Sequence, residues 1–108
     1  MENASAFCIV MVTVPDVDLA REIVRGALKA RLAACGNILR GVESHYWWQG
    51  KLEQATEVLI LFKTMNSAVQ QLEAHITAAH PYETPEIITI DLTTGTPKYL
   101  DWIVQSQT

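Results

Sequence analysis

The sequence predicts an α+β fold of order β-α-β-β-α-β, with an antiparallel sheet, a long central hairpin and a short C-terminal helix. Three observations predict it. An apolar, β-branched run opens the chain, two long strand-like segments meet at a glycine turn, and a helical apolar stripe lies on each side of that pair. With 108 residues, of which 49% are hydrophobic and 19% charged, residues 1–108 are expected to fold as a single domain.

The first strand is predicted at residues 6–14, AFCIVMVTV, because a continuous apolar run is typical of a central strand. A helix follows, and the carboxylate of Asp16 or of Asp18 can cap its first turn. Apolar residues at helical spacing continue as far as Ala34. The helix is therefore predicted to end near Cys35, where Gly36 can terminate it.

Residues 37–48 and 54–63 are predicted to form two strands that are joined by the turn WQGK. Gly41 is expected to mark a bulge or a bend in the first of them. The second strand is apolar on both faces: alternation places Val58, Ile60 and Phe62 on one face and Leu59 and Leu61 on the other. Such a strand is expected to be central or to be covered by a partner.

A second helix is predicted behind Ser67–Gln70, which has the form of a capping box. It is expected to end before Pro81, because the residue ahead of a proline avoids the helical conformation. Its apolar stripe consists of Met65, Val69, Leu72, Ile76 and Ala79.

Residues 86–92 are predicted to form the last strand, and Thr96 and Pro97 to begin the C-terminal helix. The core side of that helix is predicted to consist of Leu100, Ile103 and Val104.

This order of elements is the ferredoxin-like split βαβ arrangement, in which right-handed crossovers place both main helices on one face of the sheet. The opposite face is predicted to be apolar as well, with cover from the C-terminal helix at most. A second copy of the chain is the simplest candidate to cover it.

Composition excludes several classes of function. The net charge is −4, and the lysines and arginines are dispersed, so no nucleic-acid footprint is expected. No apolar run approaches the ~18 residues of a membrane span. Cys8 and Cys35 show no metal-ligand spacing and are interpreted as reduced thiols in a cytoplasmic protein. Neither a phosphate loop nor a GxSxG or HExxH motif is present, so an enzyme is not expected.

The segment HPYETPEI, residues 80–87, is the first candidate site. His80 and Glu83 lie three residues apart in a turn bounded by prolines, and copper(II) favours imidazole and carboxylate ligands. The alternative is architectural. In that interpretation His80 caps the helix C-terminus and Tyr82 packs against the fold.

The segment YWWQGK places Tyr46 and Trp48 on one face of a strand near Lys51. Large aromatic residues at a hairpin tip are typical of a plug between subunits. The alternative is that these three residues line an anion-binding cleft.

Glu57 and Lys63 are six residues apart and therefore share a strand face. Because buried charges need partners, an ion pair within the chain or between subunits is one outcome. The other is a cleft that they form with His80 and Tyr82, close to Glu86. His75 and His45 are interpreted as residues of polar surfaces.

Taken together, these segments resemble the CutA family of divalent-cation tolerance proteins across almost the whole chain. The segments that carry the resemblance are TVPD (13–16), RLAACGNI (31–38), YWWQGK (46–51), FKT (62–64), HPYETPEI (80–87) and YLDWI (99–103).

The resemblance implies a cytoplasmic homotrimer that is associated with copper and other divalent cations, and it maps a copper-linked histidine of the family onto His80. Some members carry a cysteine where this chain has Val12, which cannot ligate a metal. Cys8 lies on the same strand face about 13 Å away, too far to replace it. The family also resembles PII signalling proteins in architecture, which implies the alternative of a sensor that binds a small anion or a partner protein at clefts between subunits.

Overall fold

The computed structural model describes residues 1–108. Its elements, in chain order, are β1 (Glu2–Asn3), β2 (Phe7–Val14), α1 (Val17–Lys29), β3 (Cys35–Trp48), β4 (Lys51–Met65), a 3₁₀ turn (Asn66–Ala68), α2 (Val69–Ala79), β5 (Ile87–Asp91), β6 (Thr94–Gly95) and α3 (Pro97–Gln107). The predicted α+β class and the order β-α-β-β-α-β with a C-terminal helix are confirmed. The short strands β1 and β6 are an addition, and they pair with each other as a two-stranded ribbon.

The main sheet is antiparallel, with strand order β3-β4-β2-β5. β2 is the central strand that its apolar run predicts. Its Val10 lies opposite Phe62 of β4 on one side and Thr89 of β5 on the other. The hairpin β3–β4 is much longer than β2, so its free end projects beyond the rest of the sheet.

The two-residue turn of the hairpin is set by backbone conformation. Gln49 and Gly50 both have positive φ, of 50° and 76°, as the type I′ turn of a tight hairpin requires. The register shifts between Leu39 and Val42, and Gly41 there has φ of 73°. The predicted turn and the predicted bulge are both confirmed.

One face of the sheet carries the main core. α1 and α2 pack on it over 14 buried residues, which include alternate positions of β2 and β4 such as Val12 and Ile60. Each fully buried aliphatic side chain contributes about 1.5–3 kcal/mol relative to an exposed one. The carboxylate of Asp16 accepts a hydrogen bond from Leu19 N at 2.8 Å, so the predicted cap of α1 is confirmed.

The contact between α1 and α2 corrects the interpretation of His75 as a surface residue. Its Nε2 lies 3.0 Å from the carbonyl oxygen of Ile23 on α1. A Cβ at Gly26 would lie 2.7 Å from His75 Cε1, so the glycine admits the ring between the helices. His75 is a helix-packing residue.

The opposite face of the sheet is apolar and largely uncovered. Ladder pairs place Leu39, Leu59 and Leu61 beside Met11, Ile88 and Ile90. Leu39, Ile88 and Ile90 are 43%, 49% and 45% exposed. α3 covers only one end, where Leu100 and Ile103 pack with Ala4 and Phe7. This face is called the open face below.

The predicted end of α1 is wrong. The helix ends at Lys29, five residues before Ala34, and Cys35 already begins β3. Arg31 adopts a left-handed conformation with φ of 60°, and its Nη1 donates a hydrogen bond to Ser106 O at 2.8 Å. The helix therefore ends in a left-handed arginine, after which Leu32 N donates to Ala27 O at 2.9 Å, where the sequence predicts a glycine stop.

Four details of the later helices are also corrected. Ser67 lies in the 3₁₀ turn, and no side chain caps α2. Met65 belongs to β4, where its N–H donates to Gln107 Oε1 at 2.9 Å, and Ala79 of the predicted stripe is exposed. Val104 is 40% exposed, so only Leu100 and Ile103 form the core side of α3. None of the three helices is long and apolar enough to cross a membrane.

Candidate functional site

A cavity of about 890 Å³ lies between the projecting hairpin and the segment that follows α2. We call it the cleft. It brings together six of the residues that the sequence singles out: Tyr46, Trp48, Glu57, Tyr82, Glu83 and Glu86. Three others do not line it, namely His80, Lys51 and Lys63.

Local structure explains why these segments meet. Pro81 and Pro85 keep residues 81–86 out of helix and strand, so the segment passes beside the hairpin before β5 begins at Ile87. β3 and β4 supply the other wall because their ladder extends to the pair Trp48 and Lys51.

A hydrogen bond between side chains fastens the two walls together. The hydroxyl of Tyr82 donates to Glu57 Oε2 at 3.0 Å, and Glu57 is only 7% exposed. Burial, followed by the hydrogen bond to Glu57 and the negative charge of that residue, raises the pKa of Tyr82 to about 12. The phenol therefore stays protonated and continues to donate across the whole physiological range.

His80 lies immediately behind the cleft, where both of its ring nitrogens form hydrogen bonds. Nε2 lies 2.7 Å from the carbonyl oxygen of Thr13, which accepts only, so Nε2 carries the proton. Nδ1 then accepts from Tyr82 N–H at 3.2 Å. The backbone N–H of His80 also donates to Ile76 O, which places the residue at the C-cap of α2. His80 thus ties the end of β2 to the segment that lines the cleft.

The two predicted lysines lie elsewhere. Lys51 is at the hairpin turn, and Lys63 lies near the other end of β4, opposite Cys35 and Ile9. Glu57 and Lys63 form no ion pair within the chain. Neither lysine is therefore placed to hold an anion in the cleft.

Sequence reasoning missed a pair of residues on β3. His45 Nε2 and Glu43 Oε2 are 2.8 Å apart, and both residues line the cleft. His45 therefore has a partner, which the interpretation as an isolated surface residue did not include. The signal that identifies the pair is their spacing of two on a strand, which places both side chains on one face.

The charge of the cleft is one-sided. Its lining contains the carboxylates of Glu43, Glu57, Glu83 and Glu86 together with one imidazole, and no lysine or arginine. No three side chains of His, Cys, Asp or Glu converge closely enough in this chain to form a complete metal site. Val12 and Cys8 are buried in the main core, so no thiol reaches the cleft. Carboxylate and imidazole donors suit a divalent cation.

Comparison with known proteins assigns the family. A family profile described as CutA1 divalent ion tolerance protein matches residues 8–106. The chain belongs to the CutA1 family. Among its relatives is a Danio rerio protein named Protein CutA homolog, 43% identical over 93% of this chain and 67% of its own length. A Thermus thermophilus protein named divalent-cation tolerance protein CutA is 41% identical over 88% of this chain and 92% of its own.

Solved CutA structures confirm the fold. The crystal structure of CutA from Xylella fastidiosa is 38% identical, with a TM-score of 0.93 over 96% of this chain and 100% of that chain. The chain spans only 54–67% of the length of the first vertebrate and plant relatives that it matches. The resemblance that the sequence motifs predict is confirmed.

Proposed function

We propose that this CutA1-family protein binds a divalent cation in the cleft, with copper(II) as the leading candidate. The observation that carries the proposal is the charge of the lining, which has four carboxylates and no lysine or arginine. A cleft lined by charges of one sign concentrates ions of the opposite sign. The same charge disfavours the alternative of a small anionic ligand, because Lys51 and Lys63 lie outside the lining.

Glu83 is the carboxylate that we propose as a ligand, since it lines the cleft and is exposed to solvent. His80 is the other candidate ligand from the sequence. To ligate through Nδ1 it has to give up the hydrogen bond from Tyr82 N–H, which is worth about 1 kcal/mol.

We also propose that the functional unit is a homotrimer, as the family resemblance implies. The open face supports this proposal. It exposes large apolar side chains of the two edge strands, Leu39 of β3 and Ile88 and Ile90 of β5, with the half-buried Met11, Leu59 and Leu61 between them. Association is the usual way to remove such an area from water.

The role that we propose is non-enzymatic and cytoplasmic. Cys8 and Cys35 are free thiols in this chain, which suits a reducing compartment. Cation binding in this cleft requires only donors and charge, and no reacting group has to be activated.

Native mass spectrometry with added copper(II) tests the cation and the assembly in one measurement. We expect a trimer that takes up one copper per chain in discrete steps. Glu83→Gln should remove or weaken that uptake without changing the trimer. The matched control is Glu73→Gln, the same carboxylate-to-amide change on the exposed side of α2.

Two results contradict the proposal in different ways. A diffuse ladder of copper adducts, unchanged by Glu83→Gln, would mean that the cleft is not a cation site. A monomer at micromolar concentration would contradict the proposed trimer. The number of copper ions bound per chain would still decide whether the cation site exists.

A further inference from the structure

Two charged side chains of β4 have no opposite charge paired with them in the chain. Glu57 is 7% exposed, and its carboxylate accepts a hydrogen bond from the neutral hydroxyl of Tyr82. Lys63 is half-buried, and neither Glu57 nor Lys63 forms an ion pair. A charge that is removed from water is costly unless an opposite charge compensates for it. The fold therefore leaves one negative and one positive charge uncompensated.

Both residues lie on the open face, toward opposite ends of it. Along β4, positions 57, 59, 61 and 63 alternate with Val58, Ile60 and Phe62, which are buried in the main core. A strand rises about 3.4 Å per residue, so Glu57 and Lys63 are about 20 Å apart. That separation is far beyond the reach of a lysine side chain, and the two charges cannot pair within one chain.

The cleft and the open face share residues. Thr13 and Glu57 both line the cleft, and Thr13 pairs with Leu59 of the open face in the ladder. A second molecule that covers the open face therefore also borders the cleft. Tyr82 bonds Glu57 Oε2, which leaves Oε1 as an acceptor for a donor from that molecule.

Burial distinguishes Glu57 from the other carboxylates of the cleft. Glu43, Glu83 and Glu86 are exposed, so water solvates their charges. Glu57 has little such solvation. It is therefore the carboxylate that gains most from a cationic partner.

Covering the open face would increase the cost of the charge on Lys63. The ladder places Lys63 between Ile9 and Cys35, on the face that exposes Leu39 and Ile90. A copy of the chain that packs on this apolar area removes the lysine from water as well. The interface then requires a carboxylate opposite the lysine.

We propose that Lys63 of one copy pairs with Glu57 of the partner subunit at the edge of its cleft. The inference rests on the proposed homotrimer and names the polar contact that orients its copies. Complementary groups at opposite ends of one face produce a head-to-tail interface, which forms a ring when the rotation closes. The apolar residues supply the buried area, and the ion pair sets the register. Glu83 remains available to the proposed divalent cation.

The experiment is a double-mutant cycle on assembly of the full chain. Sedimentation velocity over a range of protein concentrations measures the concentration at which half of the trimer dissociates. The variants are Lys63→Gln, Glu57→Gln and the double substitution, and circular dichroism checks that each remains folded. Glu57→Gln keeps an acceptor for the Tyr82 hydroxyl. The matched controls are Lys29→Gln on α1 and Glu73→Gln on α2, both exposed and on the helix-covered side.

We expect each single substitution to raise the dissociation concentration by about tenfold or more, because it leaves the other charge buried and unpaired. The double substitution should be no worse than the weaker single variant. Residues about 20 Å apart in one chain normally contribute additively, so this departure from additivity identifies a contact between chains. The two control variants should dissociate at the concentration of the unmodified protein.

A trimer in which the two substitutions have no effect, or in which their effects add, would overturn the inference and leave the homotrimer standing. An equal loss in Lys29→Gln would also overturn it, because net charge would then explain the result. An unmodified protein that is monomeric at every concentration would instead contradict the homotrimer itself. The two failures are therefore distinguishable.

Discussion

The helix-covered core and the hairpin end of the molecule differ in how far their side chains are buried. In the core, Phe62, Ile60 and Val12 are completely buried among the residues of α1 and α2. At the hairpin end, Trp47 is 74% exposed, and a hydrogen bond between Tyr82 and Glu57 joins the two walls of the cleft. The comparison teaches that stability and the candidate site depend on different residues, so each can be altered separately.

The largest expected effect comes from a cavity in the core. Phe62→Ala removes a fully buried ring, and we expect it to lower the free energy of unfolding by about 3–5 kcal/mol, because the lost burial and the remaining void add. Urea denaturation of the variant and the unmodified protein measures the difference. A change below 1 kcal/mol would show that the main core is not the source of stability.

A clash between the two helices should cost less. In Gly26→Ala the new Cβ lies 2.7 Å from His75 Cε1, so the ring has to move and its contact with Ile23 O is lost. We expect a loss of about 1–3 kcal/mol, typical of overpacking. The control is the same substitution in a His75→Ala background, where it should have little further effect. An equal loss in both backgrounds would contradict the assigned contact.

At the hairpin turn we expect a smaller, conformational effect. Gly50→Ala forces a residue with a Cβ to adopt φ of 76°, although no atom lies within 4 Å of that Cβ. The expected loss is about 1 kcal/mol, measured by denaturation. Gly50→Asn should lose less, because asparagine tolerates this conformation. Equal losses for both variants would mean that the turn conformation is not the cause.

The smallest expected effect is a pH dependence of stability that arises from Tyr82 in the cleft and not from the core. The pKa of Tyr82 is raised from 10.0 to about 12, so the protonated phenol stabilises the fold fully below pH 10. This contribution is lost as the pH rises from 10 to 12, because the unfolded chain ionises first. Phenolate absorbance, with Tyr82→Phe as the reference, measures the titration. Glu57→Gln should lower the pKa of Tyr82 toward 10. An unchanged pKa would show that Glu57 does not contribute to raising it.

The sequence predicts the interiors of the long strands and helices better than their ends and better than the short ribbon, for a physical reason. Alternation along residues 58–62 and helical spacing along α1 report directly on which side chains are buried. Such spacing does not report where α1 ends. The chain turns at Arg31, which adopts a left-handed conformation and bonds Ser106, 75 positions later. The ribbon of β1 and β6 cannot be predicted in this way either, because strands of two residues are too short to show alternation.

For the candidate site, the sequence predicts which segments form the walls but not which polar groups meet between them. The prolines of residues 80–87 identify the segment that lines the cleft, and the aromatic hairpin identifies its other wall. Which polar groups meet there depends on register and twist, which composition does not encode. Lys63 is excluded by its distance along β4, and the pair His45 and Glu43 is found only when the strand places both on the cavity.

The open face has a consequence for how the protein comes into being. A newly synthesised chain that has finished folding still presents Ile88 and Ile90 on an edge strand, next to unpaired backbone groups. An exposed apolar edge of this kind is a potential site of aggregation. β5 has only five residues, with Pro85 two residues before it, so little edge is offered for a mispaired strand to extend.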